Sequence, residues 1–324
     1  MSLHLRRRAF GATLAAAATI AANGPAAAQD WPTRALRLIV PFPAGGGVDA
    51  VGRILAEHLT TALGQPVVVD NRAGAGGAIG VDSVVNSPPD GYTLAMTSPG
   101  NMTAGPVVRP TPYDPLELAH VARVVRSPLL LICREDLPAA DFAALVAVIR
   151  AQPDAIRMAS AGVGTGTHLA AELLNLRLGA SMIHVPFRGT APVLTELMAG
   201  RVDIFFSDTS AWPMVQQGRL RLLAVSTAAR WSIAPDVPSV ADLVSDFDIA
   251  NWYGMIAPPG TPDAPRQRLF EEISRIVARP DVIEFLTRIG FEPAPMPAAE
   301  FTDFLRTEIE TWRSVVQAAN IRAD

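Results

Sequence analysis

The sequence contains no lysine: all 27 basic residues are arginine, set against 31 acidic ones. It has a single cysteine, Cys133, and beyond its N-terminal segment no apolar run that reaches the ~20 residues a membrane-spanning helix needs. Each shortage excludes something. A P-loop closes on Lys-Ser or Lys-Thr, so phosphate binding of that kind is out. One cysteine permits no intrachain disulfide, and Cys133, set in an apolar strand pattern, reads as an inert core thiol. Setting aside Arg6, Arg7 and Arg8 leaves 24 arginines against 31 acids, a net charge of −7, which argues against nucleic acid as a partner. An anionic ligand then gains nothing from the overall field and must be held by local dipoles. His58, His120, His168 and His184 are scattered without metal-ligand spacing, and there is no Gly-x-Ser-x-Gly elbow, so neither a metal nor another cofactor is expected.

The N-terminal residues read as an export signal. A basic region over His4 to Arg8, an apolar region over Ala9 to Ala22 and the small residues Ala26-Ala27-Ala28 before Gln29 follow the secretory pattern, and Arg7-Arg8-Ala9-Phe10 partly matches the twin-arginine version. Both export routes stay open. The alanine-rich stretch carries Asn23, Gly24 and Pro25, which suits a cleaved signal better than a membrane anchor.

The chain is organised around Arg157 to Leu174, a short apolar run, a glycine-rich turn and a helical pattern. Gly162, Gly164 and Gly166 allow positive φ and close approach of a ligand, while Ser160, Thr165 and Thr167 place hydroxyls beside the first free N–H groups of a helix. Such a turn suits a small carboxylate. The construction occurs earlier as well: Leu36 to Val40, then Pro41-Phe42-Pro43-Ala44-Gly45-Gly46-Gly47, then a helix from about Val48 to Leu63. One such loop reads equally as a tight turn, whereas two in one chain suggest facing jaws. A third glycine stretch, Asn71 to Gly77, is expected to be a close-packed turn.

Other candidates lie at strand ends, where ligands bind in open α/β sheets. Ser98 and Asn101 follow a strand and are either hydrogen-bonding groups of a cleft or part of a simple turn. Asp208 either caps the next helix or meets an amine or hydroxyl of a ligand. His168, in the first turn of its helix, is either a structural hydrogen-bonding group or a base for Ser160 or Ser98, the latter being the exported-hydrolase alternative.

Strand and helix patterns alternate throughout, which predicts α/β winding around largely parallel sheets. The expected division is an export signal over 1–28, one domain over 29–126 plus 250–324, and a second over 127–249. Ser127-Pro128 is expected to break the extended run at one crossing, and Ile249 to Tyr253 to form the other, so that Val125 to Leu129 and Ile249 to Tyr253 act as hinges. Helices over about 264–277, 281–289 and 298–319, with Phe301, Phe304, Leu305, Ile309 and Trp312 at helical spacing, are expected to pack onto the first domain.

Six ordered blocks then carry a resemblance: Pro41 to Asp49, Gln65 to Arg72, Pro89 to Leu94, Gly164 to Leu169, His184 to Gly189, and Leu223 to Val225. Together they resemble the Bug family of periplasmic solute receptors, the binding components of tripartite tricarboxylate transporters. The resemblance implies a two-domain periplasmic-binding-protein fold of the type II flytrap kind with membrane transporter subunits as partners; the chain is expected to be a monomer and, lacking a catalytic constellation, not an enzyme. It puts the first grip on a ligand carboxylate at Pro43, Ala44, Gly45, Gly46 and Gly47, and the second at Ser160, Gly164, Thr165, Gly166, Thr167 and His168. Ser98, Asn101, Arg188 and Asp208 are left to read the rest of the solute. Two positions depart from the family: Val48 stands where Thr or Ser is usual, and Phe187-Arg188 where Tyr-Lys is usual. A sensor feeding a signalling receptor is an alternative role for the same fold.

Overall fold

The structure, a computed structural model, describes residues 31–322; the export signal expected over residues 1–28 lies outside them. The chain opens with β1 (Leu36–Val40), α1 (Gly47–Leu63), β2 (Val67–Asn71), α2 (Ala78–Val85) and β3 (Thr93–Thr97). Two short helices, α3 (Pro99–Met102) and α4 (Ala104–Val108), lead to the long β4 (Ala119–Pro128). The middle of the chain is β5 (Leu130–Arg134), α5 (Phe142–Ala151), β6 (Arg157–Ser160), α6 (Gly166–Leu178), β7 (Ile183–Pro186) and α7 (Thr190–Met198). It continues through β8 (Ile204–Ser207), α8 (Trp212–Gln216) and β9 (Leu220–Val225). The last part is β10 (Ala250–Ala257), α9 (Asp263–Val277), α10 (Pro280–Arg288), β11 (Glu292–Pro297) and α11 (Ala298–Ala318).

These strands form two sheets. One is six-stranded, in the order β11-β4-β10-β3-β1-β2, and the other five-stranded, in the order β7-β6-β8-β5-β9. In the first, β1 pairs in parallel with β2 and β3, while β10 runs antiparallel to β3 and β4. In the second, β6 pairs in parallel with β7 and β8, and β5 is antiparallel to β8 and β9. Parallel pairing follows from the helical crossovers, and it places the glycine loops of both jaws at the carboxyl ends of β1 and β6.

The chain passes between sheets at Leu129 and again at Ile249. Ser127-Pro128 does not break the strand as expected: β4 runs through it, with Ser127 opposite Asn251 and Pro128 opposite Ala250. Pro128 is the last residue of β4, and a proline at a strand end leaves the rest of the ladder intact. Most of each expected hinge segment is therefore paired sheet. Ser226, fully buried, ties the two crossings together: its Oγ accepts from the Leu129 N–H at 2.8 Å and donates to the Ile249 carbonyl, while its own N–H donates to the Leu129 carbonyl at 3.0 Å.

The C-terminal helix also departs from expectation. Phe301 and Leu305 pack under the six-stranded sheet with Trp252 and Ile256, but Trp312 and Val315 join the core of the other sheet beside Leu131, Met158 and Leu169. Spacing shows which face of α11 is apolar and not that the face is long enough to meet two cores. The buried carboxyl of Glu308 accepts from Trp252 Nε1 at 2.9 Å and Thr103 Oγ1 at 2.7 Å. Burial pushes this carboxyl up to about 7, against the lowering effect of Thr103, Trp252 and Arg123.

Candidate functional site

The first jaw is the loop between β1 and α1. Gly46 is the N-cap of α1 and offers no side chain, so the N–H groups of the first helical turn, beginning at Gly47 and Val48, have no partner within the helix. The loop is fixed from behind by Asp49, only 3% exposed, whose Oδ2 accepts from the Gly45 N–H and Arg53 Nε, both at 2.9 Å, and whose Oδ1 accepts from Asn71 Nδ2 at 2.9 Å. Burial alone would raise the Asp49 carboxyl; the hydrogen bonds from Arg53, Gly45 and Asn71 outweigh it and hold the carboxyl below its ordinary range. Gly47 is required by contact: a Cβ there would lie 2.6 Å from Tyr253 Oη.

The second jaw, between β6 and α6, is wired with neutral groups. Thr165 is the N-cap of α6; its hydroxyl accepts from the His168 N–H at 3.4 Å and donates to the Gly162 carbonyl at 2.7 Å. Thr167 Oγ1 accepts from the Ala161 N–H at 3.0 Å and sits 2.9 Å from Thr165 Oγ1, to which it donates. Both hydroxyl protons are thus engaged within the loop, leaving the Gly166 and Thr167 N–H groups as the open donors.

Beneath this loop Ser160, fully buried, bonds His184 Nε2 at 2.7 Å, and the His184 ring stacks on His168 with centroids 3.9 Å apart. Burial, reinforced by His168 and opposed by Glu172, pushes His184 down to about 4. His168 Nδ1 accepts from the Gly164 N–H at 3.1 Å, so its proton is on Nε2, 3.5 Å from Glu172 Oε1. His168, Glu172 and His184 bring possible metal-ligand atoms within 4.8 Å of one another. In this arrangement, however, His168 faces Glu172 as a donor, and His184 Nε2 is taken by Ser160.

Both jaws open on one cavity of about 740 Å³. Of the residues singled out in the sequence, Pro43, Ala44, Gly46, Gly47, Ser98, Gly166, Thr167 and Asp208 line it. Asn101, Gly164 and Thr165 instead line a neighbouring cavity of about 290 Å³, which shares Phe42, Gly100 and Gly166 with the first. Gly45, Ser160, His168 and Arg188 line neither. Gly45 has its N–H on Asp49, Ser160 and His168 are buried supports, and Arg188 is exposed. Gly164 has φ of +75°, and a Cβ there would meet Val108 of α4 at 2.6 Å, so this glycine serves packing between α4 and the second jaw.

Sequence reasoning missed a third helix start on the cavity. Thr190 and Ala191 open α7 behind an uncapped Gly189, and both line it. The signal was the strand, glycine and helix succession from Ile183 to Met198, the same construction as the two recognised jaws. Tyr253 and Asn251 of β10, Trp312 of α11 and the crossing residues Leu129 and Ile249 complete the wall. Asp208 accepts from Thr190 Oγ1 at 3.1 Å and from the Ser210 N–H at 3.0 Å, so it caps locally and also faces the cavity. Among the described residues that line this cavity there is no arginine or histidine.

Two α/β lobes joined by two crossings, with helix N-termini facing a shared cleft, define a periplasmic-binding-protein fold. A structure described as that of periplasmic binding protein BugD superposes with a TM-score of 0.75, at 29% identity over 91% of this chain and 100% of that one. The chain belongs to the tripartite tricarboxylate transporter receptor family, whose pattern matches residues 51–321. Protein BugT of Bordetella pertussis is 36% identical over 305 residues, covering 93% of this chain and 94% of BugT. The R. palustris protein Rpa4515, solved with adipate, is 32% identical with a TM-score of 0.79, covering 90% of this chain and 99% of its own.

Proposed function

We propose that the chain is a non-catalytic periplasmic receptor that captures a small organic carboxylate between its two jaws and delivers it to the membrane subunits of a tripartite transporter. The carrying observation is that the open N–H groups of α1 and α6 face one cavity that holds no cationic side chain. A carboxylate buried without partners would cost several kcal/mol, and fixed main-chain donors supplemented by helix dipoles meet that cost without a counter-charge. The adipate found in a relative of the same fold supports a carboxylate as ligand. Family membership supports a transporter as recipient.

Two observations weigh against the hydrolase alternative: Ser160 is wholly buried and pairs with His184, and His168, with its ring nitrogens on the Gly164 N–H and facing Glu172, stands outside the lining that includes Ser98. In the receptor reading, residues 31–128 with 250–322 move against residues 129–249 about the crossings tied by Ser226. Titration calorimetry of the exported form against a panel of carboxylates and their amides is the test. Acids should bind at least tenfold more tightly than the matching amides; equal affinity for amides, or ester turnover abolished by changing His168, defeats the reading.

A further inference from the structure

Building on the carboxylate reading, the chemistry of the cavity away from the two jaws narrows the ligand. Three helix starts converge there, those of α1, α6 and α7. The first two offer open N–H groups with no acid among the cavity-lining side chains of their own loops. The third already has a carboxylate beside it: Asp208 lines the cavity and accepts from the hydroxyl of Thr190, the first residue of α7. Asp208 therefore occupies the place that a second ligand carboxylate would seek.

No cation is available to offset that acid. The chain has no lysine, Arg188 is exposed and outside the lining, and the lining contains neither arginine nor histidine. A second ligand carboxylate would meet Asp208 as a like charge in a partly desolvated space, and like charges brought together at close range disfavour the wrong partner. What remains of the wall is largely apolar: Phe42, Val48, Leu129, Ile249 and Trp312. Its volume of about 740 Å³ falls in the range that encloses ring-bearing ligands.

We propose that the ligand is a monocarboxylic acid with an apolar, ring-sized body carrying a hydroxyl or amine that donates to Asp208, and that Asp208 is the residue that rejects di- and tricarboxylates. One carboxylate is held by the α1 and α6 starts, the body lies against the apolar wall, and the remaining donor satisfies the acid at the α7 start.

The test is calorimetric titration of the unmodified exported protein at pH 7.5 with benzoate, the three hydroxybenzoates, the three phthalates and adipate. The best hydroxybenzoate isomer is expected to bind at least tenfold more tightly than the phthalate substituted at the same ring position, and more tightly than benzoate. Asp208→Asn keeps an acceptor for the Ser210 N–H and a donor for Thr190. With its melting temperature confirming the fold, it should close the gap to threefold or less, mainly by admitting the phthalates. A phthalate or adipate binding more tightly than every monoacid overturns the proposal, as does an Asp208→Asn variant that preserves the gap. The matching hydroxybenzamide separates the two levels: an amide that binds as well as the acid refutes the carboxylate anchor itself, and so does a protein that binds none of the acids.

Discussion

The two jaws reach the same backbone outcome, an open helix start over the cavity, by opposite chemistry. The first is braced by a buried anion, with Asp49 gathering Gly45, Arg53 and Asn71. The second is braced by neutral hydroxyls and stacked imidazoles, with Thr165, Thr167, His168, Ser160 and His184 in series. An anion in the first turn of α1 partly offsets the positive end of that helix, whereas nothing comparable sits at the start of α6. The second jaw thus supplies the stronger local field, and the first supplies shape, with Gly47 against Tyr253.

The sharpest way to break this comparison is to remove each brace. Asp49→Ala leaves the Gly45 N–H and Asn71 amide without their acceptor in a part-buried loop and should cost about 3 kcal/mol in denaturant unfolding. Thr165→Val removes a neutral N-cap and should cost about 1 kcal/mol. Equal losses would show that the first jaw does not depend on its charge.

Titration separates the halves next. Glu308, at about 7 in the fold, binds its proton more tightly folded than unfolded, so its contribution makes stability fall as pH rises from 4.5 to 7. His184, at about 4 in the fold against 6.5 unfolded, makes stability rise with pH between those values. The two slopes oppose each other between pH 5 and 6.5. Glu308→Gln should unmask a rising profile and gain about 2 kcal/mol at pH 8. His184→Asn should unmask a falling one. Melting temperatures stepped through that window decide the matter, and a Glu308→Gln profile that still falls with pH excludes this balance.

A smaller effect is expected from bulk on the jaws. A Cβ on Gly47 meets Tyr253 Oη at 2.6 Å, whereas one on Gly166 meets nothing within 4 Å. Gly47→Ala should therefore weaken carboxylate binding at least tenfold, with Gly166→Ala folding normally and losing less; the reverse order in calorimetry would reassign which jaw is shaped by contact. The smallest effect belongs to Arg188→Ala. Lying outside the cavity lining, it should change affinity less than twofold at low salt.

The positions of the jaws were legible because they are local: a short apolar run, glycines and a helix start are adjacent in the chain. Which donors stay open was not, since the engagement of the Thr165 and Thr167 hydroxyls with Gly162 and Ala161 depends on the folded turn. The assignment of Asn101 and Gly164 to a neighbouring cavity depends on where α4 packs, and short α3 and α4 were hidden by Pro99, Gly100, Gly105 and Pro106. In the same way Glu-Pro-Ala-Pro-Met-Pro reads against a strand, yet β11 lies at the edge of its sheet, where prolines remove no needed donor. Asp49 stood within a block that carried the family resemblance, but its role appears only once Asn71, 22 positions away, folds beside it.

Helix α11, with Phe301 and Leu305 in one core and Trp312 and Val315 in the other, turns affinity into a property of the whole molecule. Any relative rotation of the lobes must slide or release one end of this helix, and the free energy of doing so adds to that of every ligand alike. Val315 lies in that second core and outside the cavity lining, so in the proposed receptor Val315→Ala is expected to act as a remote gain control, scaling the calorimetric affinities of all acids by one factor and leaving their rank order unchanged.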